Sequence, residues 1–277
     1  MNYIELSLEI DPEYVEILIA ELAEIDYESF VETDEGVNAY IEAPRFDQVA
    51  LHEVIAKYEE QTAIAFSVKT LEKENWNKEW ESNYETIEVE DKVRVRASFH
   101  EPDPSFPYEL LINPKMSFGT GHHETTRLVM SEQLSLPHEG ADLMDVGSGT
   151  GILGILGKKL GAETVLAFDI EEWAVENAKE NVALNNVSEG FEVFLGTIGD
   201  VGERKGFDGI LANINRNILL QEMESYSKRL KAGGWMVISG FYRADAPGLI
   251  ALGEQLGLKL LRTNYRNDWA AVSFMKL

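Results

Sequence analysis

Strand and helix patterns alternate through the second half of the chain, and this alternation restricts the fold more than any other feature of the sequence. From Leu143 onward, short apolar runs typical of buried strands are followed by residues at helical spacing. Repeated strand–helix units form a parallel sheet with helices on both faces, so we predict a doubly wound α/β domain. The last two strands, expected over 259–264 and 270–275, have a short connection and predict an antiparallel hairpin at one edge.

The first 71 residues follow a different pattern. Strict alternation of apolar and polar residues predicts an opening strand, and Asp11-Pro12 then begins a helix. The remaining pattern completes the order β-α-β-β-α-β of a ferredoxin-like α+β domain. RNA-recognition modules share this topology, but they carry basic residues beside stacking aromatics, whereas the expected strands here carry glutamates and few aromatics. We therefore favour protein recognition or a structural role for this smaller domain.

A charged and aromatic segment, residues 72–88, joins the smaller domain to the rest of the chain. Trp76, Trp80 and Tyr84 are four residues apart, which places them on one stripe of a helix. We expect a linker helix that either docks this stripe on a neighbouring domain or presents it to a partner. The predicted organisation is a ferredoxin-like domain over 1–71, the linker helix over 72–88 and the α/β domain over 89–277.

The charge of the chain limits its partners. Its 277 residues include 49 acidic and 24 basic side chains, a net charge of −25, which opposes binding to a phosphate backbone. An acidic surface suits a basic protein partner or simply keeps the protein in solution. The absence of cysteine excludes disulfides, thiolate zinc sites and cysteine nucleophiles. No apolar run is long enough to cross a bilayer and no signal-peptide pattern opens the chain, so we expect a soluble, cytoplasmic protein.

The central motif runs from Asp145 to Gly151, between a predicted strand and a predicted helix. Glycines at 147, 149 and 151 let the backbone turn sharply and approach a ligand, while the helix N-terminus supplies free N–H groups. A dinucleotide fingerprint would need glycine at position 152, where this chain has Ile152. The spacing found is instead typical of sheets that bind S-adenosylmethionine.

Two polar residues follow other strands of the predicted sheet. Asp169 ends the next strand, where a carboxylate can accept both hydroxyls of an adenosine ribose, although it can also cap the following helix. NAD would use a similar carboxylate, so the glycine spacing decides for S-adenosylmethionine. Asn213 ends a later strand and can accept a hydrogen bond from a substrate amine, orient the cofactor, or serve only as a helix N-cap.

A fourth element, residues 118–126, precedes the helix that leads into the central motif. Its glycines and hydroxyls predict a loop that folds over the cofactor as a lid. The run His122-His123-Glu124 does not predict a metal site, because adjacent histidines point to opposite sides of an extended chain and no further ligand cluster is evident. We interpret His123 as an anchor for this loop rather than a general base.

These motifs resemble those of the bacterial ribosomal protein L11 methyltransferase family. The 118–126 stretch singles the family out, and Trp76, Trp80 and Trp269 also match it. The resemblance implies a class I methyltransferase that uses S-adenosylmethionine to methylate lysine side-chain amines and the N-terminal amine of the ribosomal stalk-base protein. By motif position, the implied cofactor contacts are Thr126, Asp145, Gly147, Gly149, Gly151, Asp169 and Asn213, with Asn213 also the candidate catalytic residue.

One departure from the family concerns the substrate side of the pocket. The family usually continues after Asn-Ile with a small apolar segment, whereas this chain has Asn215-Arg216-Asn217. The chemistry needs alignment of amine, methyl group and sulfur, and a neutral amine, but the sequence identifies no general base. The alternatives are a class I methyltransferase for another protein or RNA substrate, a nicotinamide oxidoreductase, which Ile152 disfavours, and a non-catalytic adaptor.

Overall fold

A computed structural model describes residues 2–71, 84–113, 115 and 117–277 of the chain. The chain divides into two compact units, Met1–Asn83 and Tyr84–Leu277, which we call the amino-terminal and carboxy-terminal units. Most of the predicted linker helix, with Trp76 and Trp80, lies outside the described residues. The predicted end of this helix at residue 88 is wrong, because Ile87–Val89 is a strand. Ile87 and Val89 are buried in the core of the carboxy-terminal unit.

Residues 2–71 of the amino-terminal unit form one antiparallel sheet with two helices. Its strands are β1 (Tyr3–Glu9), β2 (Ser29–Thr33), β3 (Gly36–Glu42) and β4 (Ala65–Leu71), and its helices are α1 (Val15–Glu24) and α2 (Gln48–Ala56). The strand order β2-β3-β1-β4 confirms the predicted ferredoxin-like topology. Asp47 caps α2 by accepting from Val49 N at 2.8 Å, and Asp11 caps the turn that leads into α1.

The two faces of this sheet differ in chemistry. Leu6 and Leu8 of β1 and Ile41 of β3 are buried against α1 and α2, since alternate residues of a strand point to one face. The residues between them, including Glu5 and Tyr40, point to the opposite face, which neither α1 nor α2 covers. We call this the open face of the amino-terminal unit.

The carboxy-terminal unit contains a mostly parallel seven-stranded sheet. Its strands are β8 (Asp142–Val146), β9 (Thr164–Asp169), β10 (Phe191–Leu195), β11 (Phe207–Asn213), β12 (Leu230–Tyr242), β13 (Leu258–Arg266) and β14 (Trp269–Lys276). Its helices are α3 (Glu124–Gln133), α4 (Ile152–Lys159), α5 (Glu172–Leu184), α6 (Arg216–Arg229) and α7 (Ala246–Gln255). The order β10-β9-β8-β11-β12-β14-β13 confirms the doubly wound prediction, with antiparallel β13 and β14 at one edge. Helices α3, α4 and α5 share one core and α6 and α7 the other.

A small second sheet and two sets of polar contacts surround the seven-stranded sheet. A small sheet of β5 (Ile87–Val89), β6 (Val93–Arg96) and β7 (Tyr108–Leu111) precedes it. Asn181 Oδ1 of α5 accepts from Asn113 N at 3.1 Å, and Oδ1 of Asn185, which follows α5, accepts from Leu111 N at the end of β7 at 3.0 Å. On α3, the fully buried carboxylate of Glu132 accepts from Arg262 Nε at 3.1 Å, which ties α3 to β13.

The topology also indicates where a ligand binds. Strand order reverses between β8 and β11, because β9 and β10 continue to one side and β12 to the other. Ligands of open α/β sheets bind at the carboxyl ends of the strands beside such a reversal. Among the described residues, no helix has the length and apolarity that crossing a membrane requires.

Candidate active site

The turn after β8 is shaped by glycines in left-handed conformations. Gly147 has φ +63° and Gly149 has φ +53°, values that side chains other than glycine rarely adopt. A Cβ on Gly147 would lie 2.4 Å from Ile214 Cγ2, and one on Gly149 would lie 2.3 Å from the carbonyl oxygen of Phe118. The turn therefore requires glycine both for its conformation and for its close contacts.

Asp169 links this turn to the end of β9. Its Oδ2 accepts a hydrogen bond from Gly149 N at 2.9 Å, and its Oδ1 accepts from Glu171 N at 3.1 Å. The carboxylate is thus held at the edge of the sheet by two backbone N–H groups. It is partly exposed and lines the cavity described below, so each oxygen still has a lone pair for a ligand.

Asp145 lies behind the turn rather than on the ligand side. It is buried, and its Oδ2 accepts from Gly154 N at 3.0 Å in the first turns of α4. Among the described residues its Oδ1 has no hydrogen-bond partner. Burial is the main cause that raises the pKa of Asp145 to about 7; the Gly154 N–H opposes this shift and the charge of Asp169 adds to it. The position therefore suits a group that holds the turn in place.

Asn213 ends β11 beside the same turn. Its Nδ2 lies 3.4 Å from Thr126 Oγ1 of α3, while its Oδ1 is buried without a hydrogen-bond partner among the described residues. Asn213 is not the N-cap of the next helix, because the Asn215 side chain fills that role by accepting from Ile218 N at 3.1 Å. The Asn213 carbonyl is thus a buried acceptor on a cavity wall, which a ligand donor can satisfy.

The carboxyl ends of β8, β9, β10, β11 and β12 surround a single cavity of about 660 Å³. This volume is within the range of small-molecule sites. Four of the predicted site residues line it, namely Gly147, Gly149, Asp169 and Asn213. The other three predicted residues, Thr126, Asp145 and Gly151, support this lining without forming part of it: Thr126 and Asp145 are buried, and Gly151 faces Ala178 of α5.

Aromatic side chains form one wall of the cavity. The His123 ring lies 4.6 Å from the Trp269 ring and 5.3 Å from the Phe118 ring, measured between centroids, and all three residues line the cavity. The His123 ring nitrogen accepts from Thr125 N at 3.3 Å and caps α3, which agrees with an anchoring role. The neighbouring His122 ring instead lies 4.6 Å from Tyr84. The described residues contain no group of His, Asp or Glu side chains suited to holding a metal ion.

Several lining residues were not predicted from the sequence. Trp173 of α5, Thr197 and Ile198 after β10, and Glu222 of α6 all line the cavity. Thr197 lies just after the end of β10, close to the kind of position that Asp169 has at the end of β9, and that position was the available signal for it. Trp173 and Glu222 lie inside helices, where the sequence pattern gave no indication of a ligand.

Comparison with known proteins identifies the family to which the chain belongs. The sequence profile of the family described as ribosomal protein L11 methyltransferase (PrmA) matches residues 6–277. Ribosomal protein L11 methyltransferase from Phocaeicola vulgatus is 42% identical over 280 residues, covering 99% of both chains. The protein of that name from Porphyromonas gingivalis is 44% identical, covering 94% of this chain and 90% of its own. This chain belongs to the ribosomal protein L11 methyltransferase family.

A solved structure agrees with membership in the L11 methyltransferase family. Ribosomal protein L11 methylase from Lactobacillus delbrueckii subsp. bulgaricus aligns with a TM-score of 0.64 and 26% identity, over 70% of this chain and 100% of its own. A methyltransferase from Pyrococcus furiosus, 17% identical with a TM-score of 0.51, covers 60% of this chain and 89% of its own and shares the fold. The carboxy-terminal unit therefore has the class I methyltransferase fold that the sequence predicted.

Residues 215–217, which were expected from the sequence to differ from the family pattern, have a structural role. Asn215 caps α6, and Arg216 Nε lies 3.0 Å from Asp245 Oδ1 at the start of α7. Asn217 is exposed on the first turn of α6. The three polar residues therefore begin α6 and connect it to α7.

Proposed function

We propose that this protein transfers methyl groups from S-adenosylmethionine to lysine side-chain amines and the N-terminal amine of ribosomal protein L11. Family membership makes the chain a methyltransferase with S-adenosylmethionine as its cofactor. The observation that carries the proposal is the placement of Asp169 and Asn213 on one cavity, on either side of the glycine turn.

The cavity matches the chemistry of this cofactor. Asp169 presents a carboxylate that is already held by two N–H groups and can accept ribose hydroxyls. The left-handed glycines at 147 and 149 let the turn lie directly against Ile214 and Phe118, which line the same cavity. The buried Asn213 Oδ1 needs a donor, and an amine supplies one.

Bound S-adenosylmethionine supplies a methyl group activated by the positive charge of its sulfur. The protein must then position the amine, which is the larger part of catalysis when reactants need alignment. We assign this positioning to Asn213, which lines the cavity, directs its amide nitrogen at Thr126 and leaves its Oδ1 without a hydrogen-bond partner among the described residues. Thr126 is thereby a residue that orients Asn213 rather than a direct cofactor contact.

The target amine must lose its proton before it can react, because a free lysine titrates near 10.4. The aromatic wall of Phe118, His123 and Trp269 provides an apolar surface that favours the neutral amine. His123 already caps α3 through its ring nitrogen, so we assign it no proton-transfer role. In this mechanism the amine reacts in its neutral form, without a dedicated general base.

The amino-terminal unit is proposed to recognise the protein substrate. Residues 1–71 contain 17 acidic side chains and three basic ones, a net charge of −14 out of −25 for the whole chain. The open face carries Glu5, Glu9 and Glu42, together with the Tyr40 hydroxyl, which hydrogen-bonds Glu5. A surface of this charge attracts a basic ribosomal protein in the cytoplasm and repels nucleic acid.

Mass spectrometry of ribosomal protein L11 after incubation with the enzyme and S-adenosylmethionine tests the proposal. We expect mass increments of one methyl group or multiples of it, mapped by fragmentation to lysines and to the N-terminal residue. Unmodified L11, alongside methylation of another protein or of ribosomal RNA in the same extract, would contradict the proposed substrate and favour a different class I specificity.

A further inference from the structure

Glu222 is a carboxylate on the cavity wall to which the proposed reaction gives no role. It lies in α6 one turn after Ile218, and both residues line the cavity. The second half of α6 lies against the segment after β10, because Arg229 Nη2 donates to the Ile198 carbonyl at 3.3 Å. Met223 and Tyr226 share a buried core with Ile198 as well. Glu222 therefore belongs to the β10 side of the cavity.

That side of the cavity is where the base of a nucleoside fits when the ribose lies at Asp169. Asp169 ends β9, and lining residues lie on both sides of it along the sheet edge, after β10 on one side and from β8 to β14 on the other. One direction leads past Asn213 to Trp269, where the substrate amine is proposed to enter. The other leads to Ile170 and Ile198, whose apolar side chains suit the faces of a flat aromatic ring.

The Glu222 carboxylate is held in place from behind. The Tyr226 hydroxyl donates a hydrogen bond to Glu222 Oε2. Tyr226 is completely buried, and burial followed by the hydrogen bond to Glu222 raises its pKa above the usual range of a tyrosine. The phenol thus stays protonated and donates at any physiological pH. This contact occupies one carboxylate oxygen and leaves the other for a second donor.

We infer that Glu222 accepts a hydrogen bond from the exocyclic amine of the adenine ring and so selects the adenosyl form of the cofactor. The inference rests on the proposed function, since it assigns a residue to the base of the same cofactor. A 6-amino group donates to a carboxylate, whereas the 6-oxo group of an inosyl analogue would place two acceptors against each other. Sites that hydrogen-bond one substituent in this way reject analogues that lack it.

Calorimetry with two product analogues tests this assignment. We expect the wild-type protein to bind S-adenosylhomocysteine about 10- to 100-fold more tightly than S-inosylhomocysteine, the scale of a hydrogen bond to a charged acceptor. Glu222→Gln should reduce this preference to less than about threefold, because an amide can donate to the 6-oxo group. The amide oxygen can still accept from Tyr226, so the packing of α6 is retained.

Two further variants separate selectivity from stability. Glu224→Gln makes the same change of charge two residues along α6, at an exposed side chain that pairs with Lys228, and should leave the preference unaltered. Tyr226→Phe keeps the Glu222 carboxylate but removes the donor that holds it, and should reduce the preference by about threefold.

Steady-state kinetics with L11 complete the test. Because the base is remote from the reacting atoms, Glu222→Gln should raise the KM for S-adenosylmethionine while kcat changes less than about twofold. An unchanged adenosyl preference in Glu222→Gln, or a fall in kcat with an unaltered KM for S-adenosylmethionine, would overturn the assignment. If the wild-type protein bound neither analogue, the proposed cofactor would fail and this inference with it. Adenosyl binding without selectivity would contradict only the role of Glu222.

Discussion

The two units of this protein use their polar residues in opposite ways. The amino-terminal 71 residues contain 17 acidic and three basic side chains, and most of these side chains are exposed. Residues 84–277 contain 28 acidic and 19 basic side chains, and two of those that the structure describes, Asp145 and Glu132, are buried in defined hydrogen bonds.

This difference separates two kinds of specificity. Charge spread over a surface attracts a partner of opposite sign and tolerates small displacements, since its field extends over a Debye length. Buried polar contacts fix single atoms, as the two N–H groups do for the Asp169 carboxylate. We therefore expect changes in the carboxy-terminal unit to alter chemistry and cofactor affinity, and changes in the amino-terminal unit to alter capture of L11.

Removal of residues 1–71 should have the largest effect. We expect L11 methylation to be lost while the affinity for S-adenosylhomocysteine stays within about twofold of the wild-type value, because every residue that lines the cavity lies after position 116. The two measurements are methyl incorporation and calorimetric Kd on one truncated protein. Full methylation by a folded truncated protein would exclude the recognition role. A joint loss of methylation and cofactor binding would show that the amino-terminal unit stabilises the rest.

Asn213→Ala should have the next largest effect, on the chemical step. We expect kcat to fall by about 100-fold, since a small displacement of the amine from the reacting methyl group has that cost. Single-turnover rates at saturating S-adenosylmethionine measure it. Asn217→Ala, an exposed asparagine four residues along the chain, is the matched control and should leave kcat unaltered. A kcat retained in a folded Asn213→Ala protein would exclude this residue from positioning.

Asp169→Ala should act on cofactor affinity. Loss of a hydrogen-bonded carboxylate should weaken S-adenosylmethionine binding by about 1.5–3 kcal/mol, or roughly 10- to 150-fold in Kd. Part of this loss comes from Gly149 N, which would lose its acceptor at 2.9 Å. Calorimetry on a protein whose near-UV circular dichroism matches wild type measures the change. An unaltered Kd would place the ribose elsewhere in the cavity.

Asp145→Asn should change how stability depends on pH. The folded pKa of Asp145 is raised to about 7 by burial, so between its unfolded pKa of 3.8 and pH 7 the folded protein binds the extra proton. The wild-type free energy of unfolding therefore falls as pH rises through this window. The variant should lack the decrease that comes from Asp145. Its free energy of unfolding, relative to that of wild type, should therefore increase by about 2–3 kcal/mol between pH 5 and pH 7.5. Urea unfolding at both pH values checks this, and parallel curves would show that Asp145 ionises normally.

The sequence predicted the fold and much of the cavity because both depend on periodic or local signals. Alternating apolar residues and the order of the elements sufficed for the two sheets. Asp169 and Asn213 end their strands and Gly147 and Gly149 follow the end of β8, and such strand ends meet at one edge of a parallel sheet.

What the sequence did not predict depends on packing over long distances. Residues 84–88 were assigned to a helix by the spacing of aromatic residues, but residues 84–86 are in neither a helix nor a strand, and Ile87 pairs with Val95 in a strand that begins there. Asp145 was grouped with the cofactor contacts, although only the fold shows that its carboxylate points to Gly154. Glu222 lies inside a helix, and its position on the cavity follows from the way α6 packs against the segment after β10.

Neutralising surface charge should give the smallest effect and the most direct comparison of the two units. Glu9→Gln with Glu42→Gln removes two charges from the open face, and Glu189→Gln with Glu254→Gln removes two exposed charges from the carboxy-terminal unit. An exposed ion pair between one of these glutamates and a basic residue of L11 contributes about 0.2–1 kcal/mol. The first double variant should therefore raise the KM for L11 by about two- to fivefold. The second should leave it unaltered, and kcat should match wild type in both. Because salt screens surface charge, the difference should vanish as the ionic strength rises from about 50 to about 500 mM. Equal effects of the two double variants would show that only the net charge of the chain matters, and that L11 is not captured at the open face.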